Sequence, residues 1–201
     1  MEILSQNSKM RKTSAEAGVR IFNFSIPAFK TRSGKVTCPF AGGCQKFCYA
    51  QKGNYTRFPV VKESQEKKYL LTKEANFGDL ITAAIKRKKA THIRIHDSGD
   101  FYSPAYLNKW INICKNNPEV IFYAYTKSIK FFLESALQMP TNLHVIFSEG
   151  SKKDELINPD TMRHARIFDN LQELTAAGYI DASNNDLNAI KYNKKVGLIF
   201  H

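Results

Sequence analysis

"HIRIHDSGDFYSPAYLNKW", His92 to Trp110, decides the fold. Its first residues, His92 to His96, form a short β-rich run. A polar turn follows, "DSGDFYSP", in which Ser103 has the chemistry of a helix N-cap and Pro104 suits the first helical position. Beyond it, Leu107, Trp110, Ile111 and Cys114 recur at helical spacing, so one face of that helix is apolar and Cys114 reads as a core cysteine. A strand that turns directly into an amphipathic helix is half of a βαβ unit.

The pattern repeats outward in both directions. Downstream, "VIFYAY" (Val120 to Tyr125) predicts a strand. Ser128 then opens a helix with a buried face of Ile129, Phe132, Leu133, Ala136 and Leu137, and Pro140 stops it. "LHVIFS" (Leu143 to Ser148) and "HARIF" (His164 to Phe168) predict two more strands, although a helix through Met162 also suits the latter. "NLQELTAAG" predicts a helix ending at Gly178, and "VGLIFH" a closing strand. Upstream, "VRIFNF" (Val19 to Phe24) predicts the first strand. "VVKESQEKKYLLTKEA" and "NFGDLITAAIKRKK" predict helices, the second with Phe77, Leu80, Ile81, Ala84 and Ile85 on one face. Alternation of this kind implies α/β architecture with right-handed crossovers. The expectation is a partial (β/α) barrel of about five or six mostly parallel strands. Residues 1–18 are polar and aperiodic and predict a flexible segment; residues 19–201 form a single domain.

Hydrophobic residues make up 43% of the 201-residue chain and charged residues 24%, which is globular composition. No apolar run reaches the roughly 18 residues of a membrane span, and the N-terminus has no apolar signal-peptide core. The chain is therefore expected to be soluble and cytoplasmic, without membrane partners. Thirty basic against eighteen acidic residues leave a net charge of +12, compatible with a phosphate-bearing partner such as nucleic acid. The dense run Lys86 to Lys89 has a local explanation, because cations at a helix C-terminus complement its dipole.

Ligands of parallel sheets gather beyond the carboxyl ends of the strands. Four polar clusters fall there: the loop "TCPFAGGCQKFCYA" (Thr37 to Ala50) after the first strand, then His96, Asp97, Ser98, Gly99 and Asp100, then Thr126 and Lys127, then Ser148, Glu149 and Gly150. His96 is either a ligand or a histidine donating to a backbone carbonyl, Arg94 and Asp97 suit an ion pair, and Tyr49 is expected to pack on the loop.

The loop holds Cys38, Cys44 and Cys48 at spacing C-x5-C-x3-C. Clustered cysteines in a reducing compartment point to a metal or redox site before a disulfide. A structural zinc site closes with four ligands, so zinc would recruit a histidine or Cys114. A four-iron cluster (4Fe-4S) held by three thiolates keeps one iron open. Gly42 and Gly43 permit a tight fold around it, with Phe40 and Phe47 as shields. The expectation is an iron-sulfur protein, with a non-catalytic electron-transfer, redox-sensing or structural module and a zinc-stapled binding protein as alternatives.

These residues resemble radical S-adenosylmethionine enzymes, which place three loop cysteines after the first strand of a partial barrel, usually as C-x3-C-x-aromatic-C. The resemblance implies that Phe47 lies against an adenine and that Ser98, Gly99 and Asp100 form the turn receiving a methionine amino group. It implies that Ser148 and Glu149 meet ribose or carboxylate, and that a reductant protein supplies electrons. His96, Thr126 and Lys127 complete the expected cofactor-binding set. "TCPFAGGCQKFCYA", "RIHDSGDFYSPAYLNKW" and "FYAYTKS" also resemble phage proteins known as gene product 88-like, a family with no assigned reaction. That resemblance implies a virus-encoded protein of the host cytoplasm. Longer members carry further cysteines near the C-terminus; this chain has none after Cys114.

Overall fold

The computed structural model describes residues 2–191 and 195–199. Its centre is a seven-stranded, all-parallel sheet curled into a half-barrel, in the order β1-β2-β3-β4-β5-β7-β6. The strands are β1 (Ile21–Phe24), β2 (His92–Ile95), β3 (Ile121–Thr126), β4 (Leu143–Ser148), β5 (His164–Phe168), β6 (Ile180–Asp181) and β7 (Lys195–Ile199). The helices are α1 (Ser8–Ala17), α2 (Cys44–Phe47), α3 (Asn54–Arg57), α4 (Pro59–Leu71), α5 (Phe77–Lys88), α6 (Pro104–Lys115), α7 (Ile129–Glu134), α8 (Leu171–Ala176) and α9 (Asn188–Lys191).

Strand period 2 divides the sheet into two faces. The register Phe22↔Ile93↔Phe122↔Leu143 places one apolar row under the helices; Asn23↔Arg94↔Tyr123↔His144 places the next row on the opposite face. The first face packs on α5, α6 and α7 through Phe77, Ile81, Leu107, Trp110, Ile111, Cys114 and Phe132. Phe24, Phe77 and Trp110 meet edge to face, with centroids 5.5 to 5.6 Å apart. That geometry suits ring quadrupoles. On the second face Ile21, Tyr123, Ile146, Ala165 and Val196 pack under Met10 of α1 and under Ala182 and Ala189.

The α/β class and the parallel sheet agree with the sequence reading; the strand count does not. The seventh strand is β6, only two residues long, which is too short to show a period. Residues 8–17, expected within a flexible segment, form α1. Asn7 caps it by accepting from the Met10 N–H, Gly18 ends it in the left-handed region, and Met10 is fully buried. Ser103 caps α6 as expected. Ser128 does not cap α7; its hydroxyl donates to the Phe101 carbonyl at 2.7 Å. Leu133, Ala136 and Leu137, expected in the core, are exposed; α7 ends at Glu134 and Ala136–Gln138 form a 3₁₀ turn, so helical spacing no longer carries Ala136 and Leu137 onto the buried face. Phe200 and His201 of the expected last strand lie outside the described residues.

Candidate functional site

Three strand exits and the cysteine loop meet at the carboxyl rim. After β2 the chain doubles back against β1. The Ser98 hydroxyl donates to the Ile26 carbonyl at 2.9 Å, and the Ile26 N–H donates to the Ser98 carbonyl at 3.1 Å. Gly99 sits at φ +82°, and a Cβ there would lie 2.3 Å from Ile26 Cγ1, so only glycine passes. This turn delivers Asp100, a buried carboxylate. Its Oδ1 accepts from the Phe101 N–H at 2.7 Å and the Thr126 hydroxyl at 2.6 Å; its Oδ2 accepts from the Lys127 N–H at 2.9 Å. Burial raises its pKa, and these donors pull the other way.

Lys127 crosses from the β3 exit to the β4 exit. Its ammonium donates to the Ser148 hydroxyl at 2.8 Å, the Ser148 carbonyl at 3.3 Å and the Glu149 carbonyl at 2.6 Å. All three acceptors are neutral, and among the described residues no carboxylate forms an ion pair with it. The cysteine loop is stapled to the same exit. The Gly42 N–H donates to the Gly150 carbonyl at 3.0 Å, and the Lys152 N–H to the Phe40 carbonyl at 2.9 Å. A Cβ on Gly42 would lie 2.8 Å from the Gly150 oxygen, so glycine permits the close approach. A Cβ on Gly150 would fall 3.7 Å from Lys127 Nζ and 3.8 Å from Cys44 Cβ, which puts ammonium and cysteine on either side of one small space.

The donors do not make a metal centre. Among the described residues no three His, Cys, Asp or Glu side chains are gathered closely enough to hold a metal ion. The iron-sulfur expectation is corrected accordingly, and with it the radical S-adenosylmethionine reading, the electron-transfer and cluster-staple alternatives and the zinc alternative, all of which rest on Cys38, Cys44 and Cys48. The Cys38 sulfur accepts from the Phe29 N–H at 3.3 Å, and burial pushes its thiol up to about 12. Cys44 opens a turn of helix that the spacing does not announce. Burial raises the Cys44 thiol as well, although Lys127 favours its thiolate. Phe40 packs edge to face on Phe131, with centroids 5.1 Å apart, and is thereby committed to the fold. All four cysteines are free.

The remaining expected residues divide. Ser98, Gly99, Asp100, Thr126, Lys127 and Ser148 are tied into the rim by the contacts above, while the Phe47 side chain lies outside what is described. Glu149 turns toward β5, with its Oε2 3.8 Å from Arg166 Nε and its Oε1 accepting from the Tyr179 hydroxyl at 3.5 Å. His96 points into the helix-covered core. Its ring lies 4.7 Å from Phe101 and its Nε2 is 2.8 Å from the Tyr106 hydroxyl. Burial lowers its pKa to about 3, so it stays neutral at physiological pH.

Sequence reasoning missed a charged network under the other face. Asp186, fully buried, accepts from Lys9 at 2.7 Å, from Arg94 Nη1 at 3.3 Å and from the Tyr123 hydroxyl at 2.8 Å. Arg94 also lies 3.5 Å from Asp97, which accepts from the Tyr55 hydroxyl at 2.6 Å. The Arg94–Asp97 pairing was legible at i, i+3; the Asp186 partner was not, being a loop aspartate 92 residues away from Arg94.

A family model described as gene product 88 matches residues 1–200. Among curated proteins, the Gene 88 protein of Mycobacterium phage L5 is 31% identical over 147 residues, and that of Mycobacterium phage D29 is 29% identical over 145. Each match covers 66% of this chain and 57% of the relative, so the chain spans little more than half the length of the curated relatives it matches. No solved structure matches.

Proposed function

Starting from the premise that the chain belongs to the gene product 88 family, we propose that it is a small-molecule-binding α/β domain with its ligand over the carboxyl rim. An anionic group of the ligand lies against Lys127, beside the Cys44 thiol. One observation carries the reading: the Lys127 ammonium is fixed by three neutral oxygens and, among the described residues, has no carboxylate in an ion pair with it. Neutral acceptors hold a lysine in place without cancelling its charge, so an anion is what the position lacks. The position also agrees with where ligands of parallel sheets bind. Among the described residues no helix is long and apolar enough to cross a membrane, in keeping with work in the host cytoplasm.

The test is protection of Cys44 from iodoacetamide, read peptide by peptide. Inorganic phosphate, nucleoside monophosphates and short carboxylates serve as probes, and fully buried Cys114 as the unreactive reference. A rim ligand slows Cys44 alkylation in the native chain and in Ser148→Ala, which keeps the charge, but not in Lys127→Met. Equal protection in Lys127→Met, or no protection from any probe, overturns the reading. The net charge of +12 favours a second one, in which the domain's surface also meets nucleic acid. Retention on single-stranded DNA that collapses with modest added salt would support it.

A further inference from the structure

A groove of about 520 Å³ lies on the opposite edge of the half-barrel from the β5–β7–β6 end. Its floor is the edge strand β1 with Ser25. One wall is the N-terminal segment, where Ser5 and Asn23 exchange backbone hydrogen bonds of 2.7 and 3.0 Å; the other is α4. The volume falls in the range of small-molecule pockets, roughly 300–1,000 Å³.

Lys68 of α4 lines this groove and is only 4% exposed. Among the described residues no carboxylate lies within ion-pair distance of it. Its ammonium reaches the Ser5 hydroxyl at 3.4 Å and stands 5.9 Å from the centre of the Phe24 ring. The neighbouring acids are committed elsewhere. Glu2 pairs with Lys88, and Asp97 accepts from Tyr55, Asn7 and Arg94. Burial of a cation is costly, and it pushes Lys68 down to about 8 against the opposing pull of the Glu2 charge, which shares the groove.

A hydrogen-bond chain runs on from Lys68 with a fixed direction. Lys68 donates to Ser5, the Ser5 hydroxyl donates to Asn23 Oδ1 at 2.8 Å, and Asn23 Nδ2 donates to the Ser25 hydroxyl at 3.3 Å. Each oxygen in the chain already accepts one hydrogen bond, and donors remain for a ligand: the free N–H bonds of Lys68 and the O–H of Ser25, which finds no acceptor among the described residues. Arg11 adds a second cation to the lining, and among the described residues its guanidinium donates to the Gln6 carbonyl and the Ser8 hydroxyl. Phe58 and Val60, both exposed, give the lining an apolar part.

We propose that this groove is a second binding site, taking a small molecule with a single carboxylate or phosphate, which meets Lys68, and an apolar or planar body, which lies along Phe58 and Val60. The donor excess selects an oxyanion, and the apolar part favours an organic anion over the bare inorganic ion.

The test uses the whole chain with four probes: uridine 5′-monophosphate, benzoate, inorganic phosphate and neutral uridine. Acetic anhydride labelling of Lys68 is followed by mass spectrometry, with exposed Lys12 as internal reference. The expected result is at least tenfold slower labelling of Lys68 with the nucleotide or with benzoate, which separates phosphate from carboxylate ligands, and no change with uridine. Calorimetric binding of the protecting probe is lost in Lys68→Met and kept in Lys127→Met, so this site and the rim fail or stand separately. Lys68→Met removes an uncompensated buried charge and should melt no lower than the native chain. Unchanged Lys68 labelling with all three anions, or undiminished binding by Lys68→Met, overturns the proposal.

Discussion

The two faces of the sheet are stabilised by different physics. The helix-covered face is closed by aromatic and branched side chains such as Phe24, Phe122, Phe77 and Trp110, and the buried His96 among them is kept neutral. The opposite face buries Asp186 and Tyr123, with half-buried Arg94 and Lys9 paired to the Asp186 carboxylate. Packing on the first face tolerates no lost volume. On the second, each charge is held by its partner, and removing one exposes the desolvation cost of the others. The comparison predicts that shape changes damage one face and charge changes the other.

The largest effect is expected on the packed face. Trp110 is fully buried among Phe24 and Phe77, so Trp110→Ala leaves a cavity that nearby rings cannot fill. A loss of about 4 kcal/mol in urea unfolding is expected. A loss below about 1 kcal/mol would show that this face collapses as freely as a loosely packed one.

Next comes Asp186→Asn, which leaves Lys9 and Arg94 without their shared carboxylate. The cost should be about 3 kcal/mol at pH 7, the lower end for a broken buried pair, because the Lys9 side chain is 25% exposed and water relieves part of it. Asp186 carries a pKa held below its ordinary 3.8, chiefly by Arg94 and Lys9 acting against burial. Its contribution is therefore present above pH 3.8 and lost as pH falls through the lower folded value, and the variant should lack that part of the acid transition. Unchanged stability at pH 7 would mean that the network does not hold this face together.

His96 belongs to the packed face but titrates, so it tests the comparison from the other side. Unfolded, it takes a proton near its ordinary 6.5; folded, it stays neutral down to about 3. As pH falls through that window the unfolded chain binds the proton first, and stability drops by up to about 1.4 kcal/mol per pH unit. His96→Gln keeps a polar group near Tyr106 and removes the titration, so its unfolding free energy should fall less between pH 6 and 4. Titration of His96 by NMR between pH 5 and 8 would place the ring in contact with water.

Most of the packed face was legible in the sequence, whereas of the charged face only the Arg94–Asp97 pairing was. Period 3.6 in α5 and α6 and period 2 in β2 and β3 depend on neighbours a few residues apart, so Phe77, Ile81, Trp110 and Ile111 declared themselves. The rim was legible because turn residues must follow strands, and Gly99 and Asp100 stand where a tight turn delivers a carboxylate. Side-chain direction was not legible. Three cysteines in one loop read as a cluster, but spacing along the chain does not say whether the folded loop gathers them closely enough to share a metal, and among the described residues no such group forms. Lys68 reads as one more solvated charge in "KESQEKKYLL", and only the fold turns it toward Ser5 with Gln65 and Tyr69. Partners joined across 92 residues, as Arg94 and Asp186 are, leave no local pattern.

The smallest predicted effect asks how dry the charged face is. The Tyr125 hydroxyl is buried without a hydrogen-bond partner among the described residues, while its ring lies 5.2 Å from the Arg94 guanidinium. A buried hydroxyl left unpaired costs about 1 kcal/mol or more, and Phe retains the ring that Arg94 faces. Tyr125→Phe should therefore raise stability by about 0.5–1 kcal/mol. A loss of similar size would mean that an ordered water satisfies the hydroxyl. The face would then be stabilised by hydration as well as by ion pairs, and the contrast with the packed face would be sharper still.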